Sequence, residues 1–131
     1  MKIARFNMKF GKTQRAEEHL KNVGGICRQS AEKIKLSNTA YLIGVLHDMG
    51  KLCDDFQNYI QCKDNISSES KVDHGVYGAK YIFSMYENGE YIQKITSQII
   101  AIVICYHHGG LPDCINKNDI PLLKRMNKLS N

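Results

Sequence analysis

The chain contains no C-x-x-C pair, and its five cysteines (Cys27, Cys53, Cys62, Cys105, Cys114) are an odd number. That spacing excludes a zinc ribbon and fits no disulfide framework, so reduced thiols acting as small core residues are expected. A membrane-spanning run is also missing. The most apolar stretch, Ile95 to Tyr106, is short and interrupted by Thr96, Ser97 and Gln98. Met1 to Gly11 has neither an apolar h-region nor a small-residue cleavage site, which argues against a secretory leader. No internal repeat and no low-complexity tract occurs. A soluble cytoplasmic protein with no membrane partner is the expectation.

What is present suits one folded domain. The 131 residues are enough for one core, and 43% apolar against 24% charged residues is a globular balance rather than a disordered one. The net charge of +5 would help a polyanion approach. Read over the whole chain, the lysines are scattered, and charge alone is weak evidence for nucleic acid.

Periodicity predicts helices throughout. Alternation from Ile3 to Phe10 (Phe6, Met8, Phe10 against Arg5, Asn7, Lys9) suggests a short extended arm or edge strand with a basic face. Thr13 then reads as a helix cap, followed by Glu17 and Glu18 and a core stripe of Ala16, Leu20, Val23, Cys27, Ala31 and Ile34. Gly24-Gly25 within it signals a kink or close packing. Asn38 opens an apolar run from Ala40 to Leu46 that belongs at the centre of the domain, and a short helix follows over Asp54–Gln61. Residues 63–72 read as a polar loop. Asp73 is placed to cap the next helix. A long helix is expected from about Tyr91 to Tyr106 or His108, its predicted core face being Ile92, Ile95, Ile99, Ile102 and Val103. Asp119 and Pro121 open a last helix carrying Leu122, Leu123, Met126 and Leu129. The expected fold class is all-α, five or six helices around a central buried helix.

All five histidines (His19, His47, His74, His107, His108) fall on helix faces or at helix ends. One histidine alone is more often a capping or hydrogen-bonded structural group than a ligand. His47-Asp48 is harder to explain that way. An imidazole and a carboxylate at the mouth of an apolar core are costly unless something binds them. A carboxylate flanked by imidazoles is a donor set for a pair of divalent cations. His107-His108 ends another apolar helix, and Gly109-Gly110 frays it. Two adjacent side chains diverge by about 100° on a helix, so both can reach one ion only at such an end. Gly44 to Lys51 is not a P-loop: the glycine spacing is one residue too long, and Leu52 stands where Ser or Thr is needed. No helicase motif occurs elsewhere.

The sequence resembles the HD phosphohydrolases, and within them the HD nuclease domain of type I CRISPR-associated helicase-nucleases. The matching segments are Glu18-His19-Leu20, the LHDMGK of Leu46–Lys51 with Phe56-Gln57-Asn58-Tyr59, the DHGVYGA of Asp73–Ala79 and the HHGGLPD of His107–Asp113. They occur in family order and span residues 18 to 113. The resemblance implies a compact HD-domain helical bundle with two divalent transition-metal ions. Asp48 would bridge them, His19 and His47 serving the first ion and His74, His107 and His108 the second. Lys51 would hold the scissile phosphate. Manganese, iron, cobalt or nickel suits this donor set, zinc is a further candidate, and magnesium suits it less. The implied reaction is hydrolysis of single-stranded DNA, with RNA as a further substrate. The implied partners are a helicase domain or subunit and a CRISPR surveillance complex.

The pattern departs from the family in two places. Gly75 stands where serine or alanine is frequent. No counterpart appears for a further aspartate on a later helix, because Asp113 and Asp119 do not match it. A single HD nuclease domain over 1–131 lacking its C-terminal helices is therefore expected, with the first ion one ligand short. Two other readings stay open: an HD-type phosphohydrolase of nucleotides, and an inactive metal-binding docking module.

Overall fold

The computed structural model describes residues 1–7, 12–61, 73–113 and 115–128. The alternation at the amino end does form a strand. β1 (Ile3–Asn7) pairs antiparallel with β2 (Lys12–Arg15), with an irregularity in register between Ile3 and Arg5. The second strand corrects the reading of Thr13 as a cap. Thr13 lies opposite Phe6, a position that suits a β-branched residue. Arg15 instead holds the cap position of α1 (Ala16–Ser30), without a side-chain hydrogen bond.

On α1 the stripe Ala16, Leu20, Gly24 is buried and continues to Ala31. It stops there, because a short 3-10 turn (Glu32–Ile34) and a left-handed Lys35 (φ 58°) redirect the chain. Ile34, expected in the stripe, is 67% exposed. Helix α2 (Ser37–Leu46) lies against α1 at a crossing of two glycines. A Cβ on Gly44 would stand 2.7 Å from Gly24 Cα, so the backbones themselves touch. Close packing, rather than a kink, is what Gly24 provides.

The bundle is helical as expected, with six α-helices among the described residues. Its deepest point is not α2, of which only Gly44 and Leu46 are buried. The largest fully buried side chains are Ile104, Val76 and Cys105, on α5 (Tyr91–Cys105) and α4 (Gly75–Met85). Helix α5 is also rotated from the predicted face. Its buried residues are Ser97, Ile100, Ala101, Ile104 and Cys105, whereas Ile92, Ile99 and Val103 are 67%, 56% and 38% exposed. The buried face combines the small Ser97 and Ala101 with Ile100 and Ile104, and α5 packs there against α4. Gly78 on α4 meets the end of α2 directly: a Cβ there would fall 2.1 Å from the Leu46 carbonyl oxygen.

Helix α3 spans Asp54–Gln61 as predicted, with Phe56 buried and Tyr59 and Ile60 half-buried. Asp73 does not cap α4. His74 holds that position, and the Asp73 carboxylate accepts from Nε and Nη2 of Arg125, each at 2.8 Å. Arg125 lies on α6 (Pro121–Asn127), which buries Leu122 and Met126 against the core and ties itself to the start of α4. Its cap position is Ile120, while Asp119 accepts from Lys124. The predicted loop 63–72 and Leu129 lie outside the described residues, as do Cys62 and Cys114. No helix among the described residues is long and apolar enough to cross a membrane.

Candidate metal centre

Four separate chain segments bring the sequence-selected side chains to one point. The centre is Asp48, 3% exposed, in the turn between α2 and a 3-10 segment (Met49–Leu52). Its Oδ2 faces His19 Nε2 at 3.0 Å, His47 Nε2 at 3.1 Å and Lys51 Nζ at 2.7 Å. Its Oδ1 faces His74 Nε2 at 3.1 Å and His107 Nε2 at 3.4 Å. His108, beyond the end of α5, reaches the same place through His74, Nε2 to Nε2 at 2.8 Å. The two adjacent histidines converge because α5 ends at Cys105, before either of them.

The tautomers decide what this cluster can bind. His47 Nδ1 lies 2.7 Å from the Gly44 carbonyl oxygen, and His107 Nδ1 lies 2.7 Å from that of Ile104. A carbonyl only accepts, so each Nδ1 carries a hydrogen. In the neutral ring, Nε2 then presents a lone pair. Both lone pairs point at the Asp48 carboxylate, which also has only lone pairs to offer. Such an arrangement is repulsive unless the rings are protonated or a cation stands between them. Metal-ligating histidines fix their rings this way, with the far nitrogen donating to a carbonyl. Among the described residues, Asp48 Oδ1 and His107 Nε2 are buried without a hydrogen bond of good geometry. Both atoms carry lone pairs with nothing to accept them.

The electrostatics agree. Burial alone would raise the Asp48 carboxyl, but His107, His47, His74 and Lys51 hold it well below the usual carboxylate range. Contact with Asp48 raises His107 against the opposing effect of burial. Burial, followed by the neighbouring His107 and His74, lowers His108. Two groups could each hold an ion, with ligand atoms within 4.8 Å of one another: His19, His47 and Asp48 on one side, and Asp48, His74, His107 and His108 on the other. Imidazoles with one carboxylate are a suitable donor set for divalent transition metals.

All six candidate ligands and Lys51 therefore meet at one centre. Sequence reasoning noted Gln57 within a motif but assigned it no role. It is buried, accepts from Ile3 N at 2.9 Å, and donates to Ile3 O at 2.8 Å and Lys51 O at 2.6 Å. Its place beside Phe56 in the Phe56-Gln57-Asn58-Tyr59 segment was the available signal. Phe56 packs its ring 5.6 Å from that of His74.

The model of the HD domain family matches residues 16–130. The chain belongs to the HD domain family. Neither the curated proteins nor the solved structures include a match. HD domains are generally metal-dependent phosphohydrolases, and the histidines gathered around the buried Asp48 fit metal binding. The family match covers every residue of the cluster and leaves only the strand pair and the last residue outside it.

Proposed function

We propose that this HD domain hydrolyses phosphodiester bonds in single-stranded DNA, and also in RNA, as the nuclease part of a type I CRISPR-associated helicase-nuclease. The observation that carries the reading is the two-sided use of Asp48. One oxygen faces His19 and His47, the other His74 and His107. That division supports two ions sharing one carboxylate, the first held by His19, His47 and Asp48, the second by Asp48, His74, His107 and His108. Manganese, iron, cobalt or nickel is the preferred occupant, with zinc next and magnesium disfavoured by the imidazoles. Bound divalent ions would supply a hydroxide nucleophile near neutral pH and polarise the phosphoryl oxygens.

The protein's own part is positioning. Gly44 and Ile104 carbonyls fix the His47 and His107 rings. Phe56 backs His74. Lys51 rests on Asp48 Oδ2, and its flexible stem lets the ammonium turn to a phosphate as a compact charge. No serine or cysteine nucleophile is required. The order and spacing of the four motif segments favour the CRISPR-associated type, whose partners are a helicase domain or subunit and the surveillance complex. A reducing cytoplasm suits the free Cys27, Cys53 and Cys105.

The test is cleavage of a labelled single strand with manganese, cobalt or nickel, comparing the parent with Asp48→Ala and His107→Ala. The parent should cut and both variants should fail. Variants that cut as well as the parent would remove the site assignment, and a parent acting only on mononucleotides would remove the strand reading.

A further inference from the structure

Counted by segment, the charge of this chain is not scattered. Residues 1–15 hold five of the 18 Lys and Arg (Lys2, Arg5, Lys9, Lys12, Arg15) and none of the 13 Asp and Glu. The remainder is neutral, so the whole net charge of +5 belongs to the strand pair and its connection. This concentration corrects the impression given by the chain as a whole. Arg5, Lys12 and Arg15 are exposed and form no ion pair among the described residues. In the register of the hairpin, Arg5 opposes Gln14 and Lys12 opposes Asn7, so Arg5 and Lys12 share one face, while Arg15, one residue past Gln14, projects from the other at the junction with α1.

The hairpin is fastened beside the metal centre. Gln57 grips both backbone groups of Ile3 and, with the same amide, the carbonyl of Lys51. Lys2 pairs with Asp54 at the start of α3. At the other end β2 runs straight into α1, and Arg15 precedes His19 by four residues, about 6 Å along a helix. A cationic hairpin is thus fastened beside the imidazole cluster by a buried hydrogen-bonded clip. A single phosphodiester at the centre leaves this hairpin unused. A strand with further phosphates on one side of the cleaved bond would lie on it.

We infer that the β1–β2 hairpin, through Arg5 and Lys12 on one face and Arg15 at its junction with α1, is a docking site for the phosphate backbone of a single-stranded nucleic acid that continues past the hairpin edge into the metal centre. The inference rests on the nuclease reading for its biological sense, but its test does not depend on cleavage. Binding of a fluorescein-labelled oligothymidylate of about 20 nucleotides is followed by anisotropy in EDTA at several salt concentrations. Hydrolysis of bis(p-nitrophenyl) phosphate with manganese is measured in parallel. Each phosphate contact on a single strand contributes about 0.7 to the slope of log K against log salt. The triple variant Arg5→Ala/Lys12→Ala/Arg15→Ala should lower that slope by about 2 and weaken binding on the order of 100-fold at 0.1 M salt. Its hydrolysis of the small diester should stay at the parental level. Arg5→Lys/Arg15→Lys should bind like the parent, since backbone phosphates are read as charge. Should the triple variant unfold, Lys12→Glu alone should still lower the slope by about 0.7 or more.

An unchanged slope, a parent that ignores the strand, or a fall in small-diester hydrolysis parallel to binding would overturn the inference. A hairpin-dependent complex that manganese does not convert to product would leave the docking surface intact and remove the nuclease reading.

Discussion

The Nε2 atoms of His74 and His108 lie 2.8 Å apart across 34 residues of chain. Two neutral imidazoles can meet at that distance only by sharing a proton or by turning both lone pairs toward one cation. His108 belongs to the Asp48 Oδ1 side and has no contact with the His19 and His47 side in this geometry. Replacing it with alanine should therefore weaken one ion selectively. We expect a loss of at least the roughly 10–100-fold that removal of an orienting partner costs, with the other ion unaffected. Titration with manganese against a chromophoric chelator checks this; equal weakening of both ions would contradict it.

Acidity acts on the metal-free and metal-loaded forms in opposite directions. Asp48 has a depressed folded pKa, so its contribution is present above its usual 3.8 and lost as pH falls through the folded value. His107 is raised, so its contribution is complete below 6.5 and lost as pH rises through the folded value. The metal-free pair therefore stabilises most between about 3.8 and 6.5. Metal binding requires the imidazole lone pairs and gains with rising pH. The Tm increment from manganese should grow from about pH 5.5 to about pH 8. An increment independent of pH would argue against imidazole ligation.

Packing around the centre gives a test independent of chemistry. Ala for Gly inside a helix gains about 1 kcal/mol in propensity. At Gly78 that gain meets a Cβ position 2.1 Å from the Leu46 carbonyl, one residue before His47. The carbonyl is backbone and cannot step aside, so overpacking of about 1–3 kcal/mol or more should win. Gly25, with nothing within 4 Å of a Cβ, is the control. Urea denaturation should find Gly78→Ala destabilised with weakened metal binding, and Gly25→Ala stabilised by about 0.5–1 kcal/mol.

Much of the site was legible because its chemistry is carried by residue type. His19, His47, Asp48, His74, His107 and His108 are few and sit in short motifs, and all of them converge. The boundaries of α3 were legible too, since Asp54 and Asp55 mark its first turn. Harder to read were choices between two apolar faces. Helix α5 has isoleucines at both phases, and the buried one is the phase that also carries the small Ser97 and Ala101. Polar residues with two uses were also ambiguous. Thr13 serves a strand rather than a cap, and Asp73 binds Arg125 rather than the start of α4. Gln57 was opaque because its partners are backbone groups 54 and 6 residues away.

Two ions sharing Asp48 underlie every role assigned to the cluster. The direct measurement is the metal content of the desalted, manganese-loaded protein, parent against Asp48→Asn, a change that keeps the shape and removes the charge. Two ions per parent chain and loss of both in the variant are expected. A variant that retains the parental metal content would contradict that sharing.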